Sequence, residues 1–274
     1  MLTVQHKRYF SFSPRGSQNL SQNETMILTV LVTLVALSMP KLVPQATILT
    51  YHDVIPMRNS QSVWFDCTTA ELDHQLQWMQ AHGARFVSLD DIAAHIGSRA
   101  LFSYRAIAIT FADNYEGFWL RAWPIIKKRR IPVAMFVHTG YVGNREGRPK
   151  MTWAQLLELD RSGLVTVASQ TVSHPADLGQ LSLSQIRKEF HDSKRDLEAQ
   201  LGHACKYLAY PNGKFDTRCI KQAEAEGYQL AFSEIQAPVD VTGGRLGVNR
   251  YVHTKWRKAW SDAENRNMRH SAAK

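Results

Sequence analysis

Cysteine is scarce in this sequence: three in 274 residues, Cys67, Cys205 and Cys219, with none at C-x-x-C spacing. That excludes a disulfide framework and a structural zinc ribbon. The thiols fit a reducing compartment, or a single bridge such as Cys205 to Cys219 with one spare. Low-complexity sequence is absent as well, and 44% of the residues are hydrophobic, so disorder is excluded as the main state. Long apolar runs are missing too. Met26–Met39, MILTVLVTLVALSM, has fourteen residues without a charge, short of the roughly 20 that a transmembrane helix needs. Acidic residues are fewer than basic ones, 24 against 33, for a net charge of +9.

The apolar run has the length of the h-region of a secretion signal, with Lys7, Arg8 and Arg15 ahead of it and Pro40 breaking it. Residues 1–46 therefore read as a leader, cleaved near Ala46 or kept as a membrane tether, with Met26 as an alternative start. A buried N-terminal strand or helix is the competing reading. The leader predicts an exported protein, periplasmic or at the cell surface. The positive charge is scattered, apart from Lys127-Lys128-Arg129-Arg130 and a tail over 255–274 that carries Lys255, Arg257, Lys258, Arg266 and Arg269. A basic run that ends a helix complements the negative end of its dipole, and no nucleic-acid module accompanies it, so nucleic acid is not expected as a partner. Such a surface suits anionic wall polymers or lipid head groups.

From Thr47 onward, β-branched apolar runs alternate with segments of helical period. The runs are Ala46–Tyr51, Phe86–Leu89, Ala106–Phe111, Pro132–Val137, Leu164–Ala168, Tyr207–Tyr210 and Tyr228–Phe232. Between them, Leu72, Leu76 and Met79 share one helical face. Capping-box pairs start three helices, Thr68 with Glu71, Thr152 with Gln155 and Ser182 with Gln185, and Asp216 suits a fourth N-cap. Gly83, Gly163, Gly202 and Gly227 mark helix ends. Strand–helix–strand at this rhythm predicts a single α/β domain over 47–254, a parallel sheet closed or nearly closed into a (β/α) barrel, with its chemistry at the carboxyl ends of the strands.

Four polar clusters follow apolar runs directly: Tyr51-His52-Asp53, Asp113-Asn114, Gln170 to Pro175, and Tyr210-Pro211-Asn212-Gly213. Each alone reads as turn chemistry or a core histidine; their shared position at strand ends points to a site. Asp113 and His174 are suitable ligands for a zinc-like ion, and His52 could act as an acid toward a leaving group. Water activated by a metal to attack a carbonyl is the matching reaction class. Two protein ligands fall short of the three usual for catalytic zinc.

These residues carry a resemblance. AITFADNYEGFW resembles the TFDDGY motif of the NodB-like polysaccharide deacetylases, carbohydrate esterase family four. ASQTVSHPADL is similar to that family's SHTVSHP, and YLAYPNGKFD to its AYP-x-G motif. The opening ILTYHDV and closing NRYVH resemble the branch of poly-β-1,6-N-acetylglucosamine N-deacetylases, and MTWAQLLELDRSGLV and CIKQAEAEGYQLAFS look like the family's helices. The resemblance spans about Thr47 to His253. It implies a distorted (β/α) barrel with an open groove that acts on N-acetylglucosamine-type polysaccharide, using a divalent metal ion, zinc or else cobalt or nickel. It also implies that Asp113 and His174 are metal ligands, that His52 is the general acid, and that the backbone amide near Asn212 holds the oxyanion.

Three positions depart from the pattern. Ala112 stands where the family has its general base, Gln170 where it has the first metal-binding histidine, and Asn114 where the motif has glycine. Losing a general base costs about 10² to 10⁴ in rate, and a glutamine oxygen binds zinc more weakly than imidazole. Asp53 and Asp177 are the nearby acids that could serve instead. Trp64, Trp153 and Tyr210 are candidate platforms for sugar rings, with core packing as the alternative. Two readings follow: a metal-dependent polysaccharide deacetylase with an impaired site, or a catalytically inactive relative that binds glycan without cleaving it.

Overall fold

The computed structural model describes residues 46–96, 98, 102–239 and 242–271, with side chains as far as 263. The leader and its apolar run over 26–39 lie outside the described residues. Among the described residues no helix is long and apolar enough to cross a membrane.

Every apolar run from Ala46 onward overlaps a strand. Strands β1 (Ala46–Tyr51), β4 (Ala84–Val87), β5 (Arg105–Phe111), β6 (Val133–Val137), β7 (Val165–Ser169), β8 (Tyr207–Ala209), β9 (Leu230–Phe232) and β10 (Tyr251–Val252) form one parallel sheet. Its order is β10-β1-β5-β6-β7-β8-β9, with β4 paired to the first half of β5 and β6 to the second half. The stretch from Val248 to Val252 joins the two ends of this order. Val248 exchanges hydrogen bonds with the β9 region at Ala231 and Ser233, both 2.8 Å, while Tyr251 and Val252 pair with Leu49 and Thr50 of β1. The result is the distorted (β/α) barrel that the sequence predicts. Strands β2 (Val54–Ile55) and β3 (Cys67–Thr68) make a separate two-stranded ladder beside it.

The helices start where the sequence places their caps. All three capping boxes form, at α1 (Thr69–Ala81), α4 (Trp153–Arg161) and α5 (Leu183–Leu201), and Asp216 caps α6 (Thr217–Ala225). A fourth box, Ser88 with Asp91, opens α2 (Leu89–His95). Helix α3 (Trp123–Arg129) carries its basic run in the last turn, where Arg129 also bonds Asp73 of α1. The basic tail is not an appendage. It folds as α7 (Trp256–Ser271), and Trp256, Ala259, Trp260 and Ala263, spaced three and four apart, bury one face. Both tryptophans meet Trp78 of α1 with ring centroids 5.1 Å apart. Cys205 and Cys219 remain separate, buried thiols, as does Cys67, so the bridge entertained for the first two does not form.

Candidate active site

Side-chain parity sets up the site. In β1, β5, β6, β7 and β9, odd-numbered residues such as Leu49, Ile109, Met135, Val167 and Ala231 pack with the helices. Even-numbered ones (Ile48, Ala108, Phe136, Ala168, Phe232) form a second cluster inside the barrel. The ladders run one residue past the strand ends: the Ala112 amide donates to Tyr51 and the Gln170 amide to Val137, both at 2.8 Å. Continuing the alternation, His52, Ala112, His138, Gln170 and Glu234 turn inward at one end of the barrel.

There, ligand atoms of Asp113, His138 and His174 lie within 4.8 Å of one another. His138 Nε2 is 3.0 Å from Asp113 Oδ1, and the rings of His138 and His174 have centroids 4.3 Å apart. Two imidazoles and a carboxylate are a donor set for a zinc-like ion. This set differs from the expected one. Gln170 is buried, and its Oε1 is engaged 2.9 Å from the backbone N–H of Asp113, so it supports a ligand's main chain. The third ligand, a second imidazole, comes from His138, one strand over, at the end of β6. Asn114 helps to position it, since its Oδ1 accepts the His138 amide at 3.2 Å, a contact that glycine could not offer.

The loops that carry these groups are strained. Asp113 (φ 70°), Asn114 (φ 37°), Thr171 (φ 71°), His174 (φ 52°) and Asn212 (φ 53°) all adopt the left-handed region. Non-glycine residues there cost about 1–3 kcal/mol each and persist only where neighbours fix them. The neighbours are evident: Thr171 Oγ1 accepts the His174 amide, and Glu189 of α5 accepts the amides of Val172 and Ser173 and the Ser173 hydroxyl.

Burial pushes the Asp113 carboxyl up, but the hydrogen bond from His138 and the charges of His138, His52 and His174 outweigh it and hold it well below the usual carboxylate range. Burial, helped by His138, lowers His174 to about 4. At neutral pH the cluster therefore offers an anionic carboxylate and a neutral His174, the protonation state a cation needs.

On the far side of the barrel mouth, His52 is buried with Nε2 3.5 Å from Glu234 Oε1. Glu234 also faces Arg250, whose Nη2 is 3.8 Å away. The Arg250 guanidinium is fully buried over Phe136 and Phe232, and its Nη2 has no hydrogen-bond partner.

The aromatic candidates separate. Tyr210 is fully buried, stacked on Phe215 at 4.5 Å with its hydroxyl donating to Leu246 O, so it packs the core and cannot face a sugar. Trp153 begins α4, half-buried against the core. Trp64 is 62% exposed, 6.2 Å from the His52 ring. Asn212 occupies the tight turn Pro211–Gly213, and its side chain donates to Ala176 O. Neither acid considered as a substitute base is free. Asp53 is paired to Arg148, and Asp177 caps the turn at Gly179.

The sequence profile of polysaccharide deacetylases matches residues 102–231. The deacetylase PplD of Streptococcus pyogenes, solved in complex with acetate, superposes with a TM-score of 0.72 at 25% identity, covering 80% of this chain and 97% of that one. IcaB from Ammonifex degensii gives 0.69 at 26% identity, over 80% of this chain and 96% of that one. The chain belongs to the NodB-like polysaccharide deacetylases. Among curated relatives, the poly-β-1,6-N-acetyl-D-glucosamine N-deacetylase of Staphylococcus aureus is 25% identical over 178 residues, 62% of this chain and 61% of the relative. The chain thus spans about three fifths of the length of the curated relatives it matches.

His138, one strand from Gln170, lies within the Asp113–His174 cluster, and Glu234 lies beside His52. Both lie just past apolar runs, at the barrel end already singled out; that position was the one signal for them.

Without metal, the native protein resists protonation at His253. Burial and the charge of His52 lower His253 to about 4, and its Nδ1 is buried without a partner. The unfolded chain takes up this proton near pH 6.5 and the native state refuses it, so stability falls as pH drops from about 6.5 to 4. His174 acts in the same direction. Below this window, protonation of Asp113 removes a further contribution. Chemical denaturation of metal-free protein is expected to show a loss between pH 7 and pH 5 that His253→Phe reduces by about 2 kcal/mol. An unchanged pH slope in that variant would refute the assignment.

Proposed function

We propose that this protein is a metal-dependent deacetylase that hydrolyses the acetamide of N-acetylglucosamine-type polysaccharide. The observation that carries the reading is the convergence of Asp113, His138 and His174, a three-ligand set in a chain whose motif had seemed to leave two. These residues would hold a divalent ion, zinc or else cobalt or nickel, which supplies Lewis-acid activation of water and of the acetyl carbonyl. His52 donates a proton to the departing amine nitrogen. The backbone amide at Asn212 stabilises the charge that develops on the acetyl oxygen, a role open to a tight turn at the barrel mouth. Trp64, exposed beside His52, stacks on a sugar ring. The substrate class draws support from the S. aureus relative, which is named for poly-β-1,6-N-acetyl-D-glucosamine.

Residues 1–46 serve as an export leader or tether ahead of the catalytic domain, which places the enzyme outside the cytoplasm with its polymer. The test is acetate release from N-acetylglucosamine oligomers by the full chain, with zinc, cobalt or nickel added in turn. Turnover that a chelator abolishes and metal restores is the expected result. Oligomer binding without acetate release, under every metal, would favour the non-catalytic glycan binder, the reading that Ala112 supports.

A further inference from the structure

We propose that Glu234 is the general base of this site, relocated from the end of β5 to the end of β9, and that it exchanges protons with His52. The inference rests on the deacetylase reading and adds the residue that reading lacks.

Residue 112 is alanine, so a base must come from another carboxylate at this end of the barrel. Asp53, Asp66 and Asp177 are committed elsewhere: the first two pair with Arg148, and the third caps a turn. Lys150 donates to the main-chain oxygen of Asp113 over the ring of Tyr115 and is a cation, not an acceptor. Glu234 is different. It continues the inward parity of Leu230 and Phe232, as Ala112 continues that of Ala108 and Thr110. Its side chain is 17% exposed, so it is shielded yet reachable.

Three contacts place it among the reacting groups. It lies 3.5 Å from the proposed acid His52. Its main chain packs against the Asn212 turn so closely that a Cβ on Gly213 would fall 2.9 Å from Glu234 Cα. Its third neighbour is Arg250, a buried cation whose unpartnered Nη2 has Glu234 as a carboxylate within 3.8 Å. Burial raises the Glu234 carboxyl, but the His52 hydrogen bond and the Arg250 charge prevail and hold it below its ordinary value. It is thus ionised and able to accept a proton at neutral pH.

The step balances. Water gives a proton to the Glu234 carboxylate as its oxygen bonds the acetyl carbon, and the carbonyl π pair moves onto the acetyl oxygen. That pair returns as the C–N bond breaks, and the nitrogen takes the bond pair and a proton from His52. Glu234 then passes its proton to His52, and acetic acid ionises to solvent.

The test uses the full chain loaded with zinc and compares the parent with Glu234→Gln, Glu234→Ala, Ala112→Asp and the double variant Ala112→Asp/Glu234→Gln. Glu234→Gln is expected to lower kcat by about 10²- to 10⁴-fold while zinc affinity stays within about threefold, because Glu234 is not a ligand. Formate should restore turnover to Glu234→Ala, where it can fill the gap, and not to Glu234→Gln. Ala112→Asp should recover activity in the Gln background. Glu234→Gln turning over like the parent, or losing zinc together with activity, would overturn the role. An inactive parent that Ala112→Asp alone awakens would overturn it together with the reading of this chain as an active deacetylase, whereas an active parent matched by Glu234→Gln would overturn the base alone. If no variant, Ala112→Asp included, releases acetate although zinc binds, both fail.

Discussion

Replacing His138 by asparagine is expected to weaken zinc binding by about 10²-fold or more, and adding Gln170→His to that variant is expected to bring zinc back. The size follows from ligand count: structural zinc sites with four ligands are worth roughly 10–16 kcal/mol, some 3 kcal/mol per ligand, and each 1.4 kcal/mol is about tenfold. The rescue follows from the sheet. His138 and Gln170 stand one residue beyond adjacent parallel strands, at the register that pairs Val137 with Ser169. Both turn inward, and the Gln170 side chain already reaches the Asp113 amide. An imidazole at 170 therefore approaches the same carboxylate from the neighbouring strand. Gln170→Ala alone should cost zinc less than tenfold, because its bond supports the Asp113 main chain and no ligand atom. Competition with a chromophoric chelator measures all four proteins. A single His138→Asn variant that binds zinc like the parent would remove His138 from the ligand set. Failure of the double variant to recover would show that the site was built around His138 and its Asn114 contact, not shifted by one strand.

The barrel was legible in the sequence because its strands are apolar on both faces and its helices carry caps whose side chains bond where the spacing says they should. Asp113, His52, His174 and Gln170 were legible as strand-end residues for the same reason. His138 was not: one imidazole followed by Thr-Gly has no spacing that distinguishes a ligand from a loop residue. Glu234 was hidden by distance along the chain. Its meaning depends on Arg250, which reaches it only because Val248–Val252 joins β9 to β1, and on His52, 182 residues earlier in the chain. Strands β2 and β3 have two residues each, too few for any period. The tail misled because its charge is conspicuous, whereas the Trp256–Trp260 face that docks it is only four residues wide.

Gly213→Ala is expected to damage the protein far more than Gly202→Ala, though both glycines have nearly the same left-handed backbone, φ 66° and 77°. At Gly202, the C-cap of α5, a Cβ meets nothing within 4 Å, so the cost is conformational, about 1–2 kcal/mol. At Gly213 the same cost is joined by a collision. The new Cβ would fall 2.7 Å from Glu234 Cβ and 2.9 Å from its Cα, closer still to its nitrogen. Main-chain atoms cannot swing aside like a side-chain tip, and overpacking of this kind adds about 1–3 kcal/mol. The total is about 2–5 kcal/mol, read as a fall in denaturation midpoint. Acetate release should fall further than stability does, by about 10²-fold or more at a temperature where the variant remains folded, as for loss of a catalytic proton acceptor. Relief of the clash must push Glu234 away from His52 and Arg250 or move the Asn212 amide with its turn. Either displacement separates the groups that have to meet one acetamide. Equal midpoints for the two alanine variants would mean that the turn and Glu234 are not packed together, and the shared placement of oxyanion donor and base would lose its physical ground.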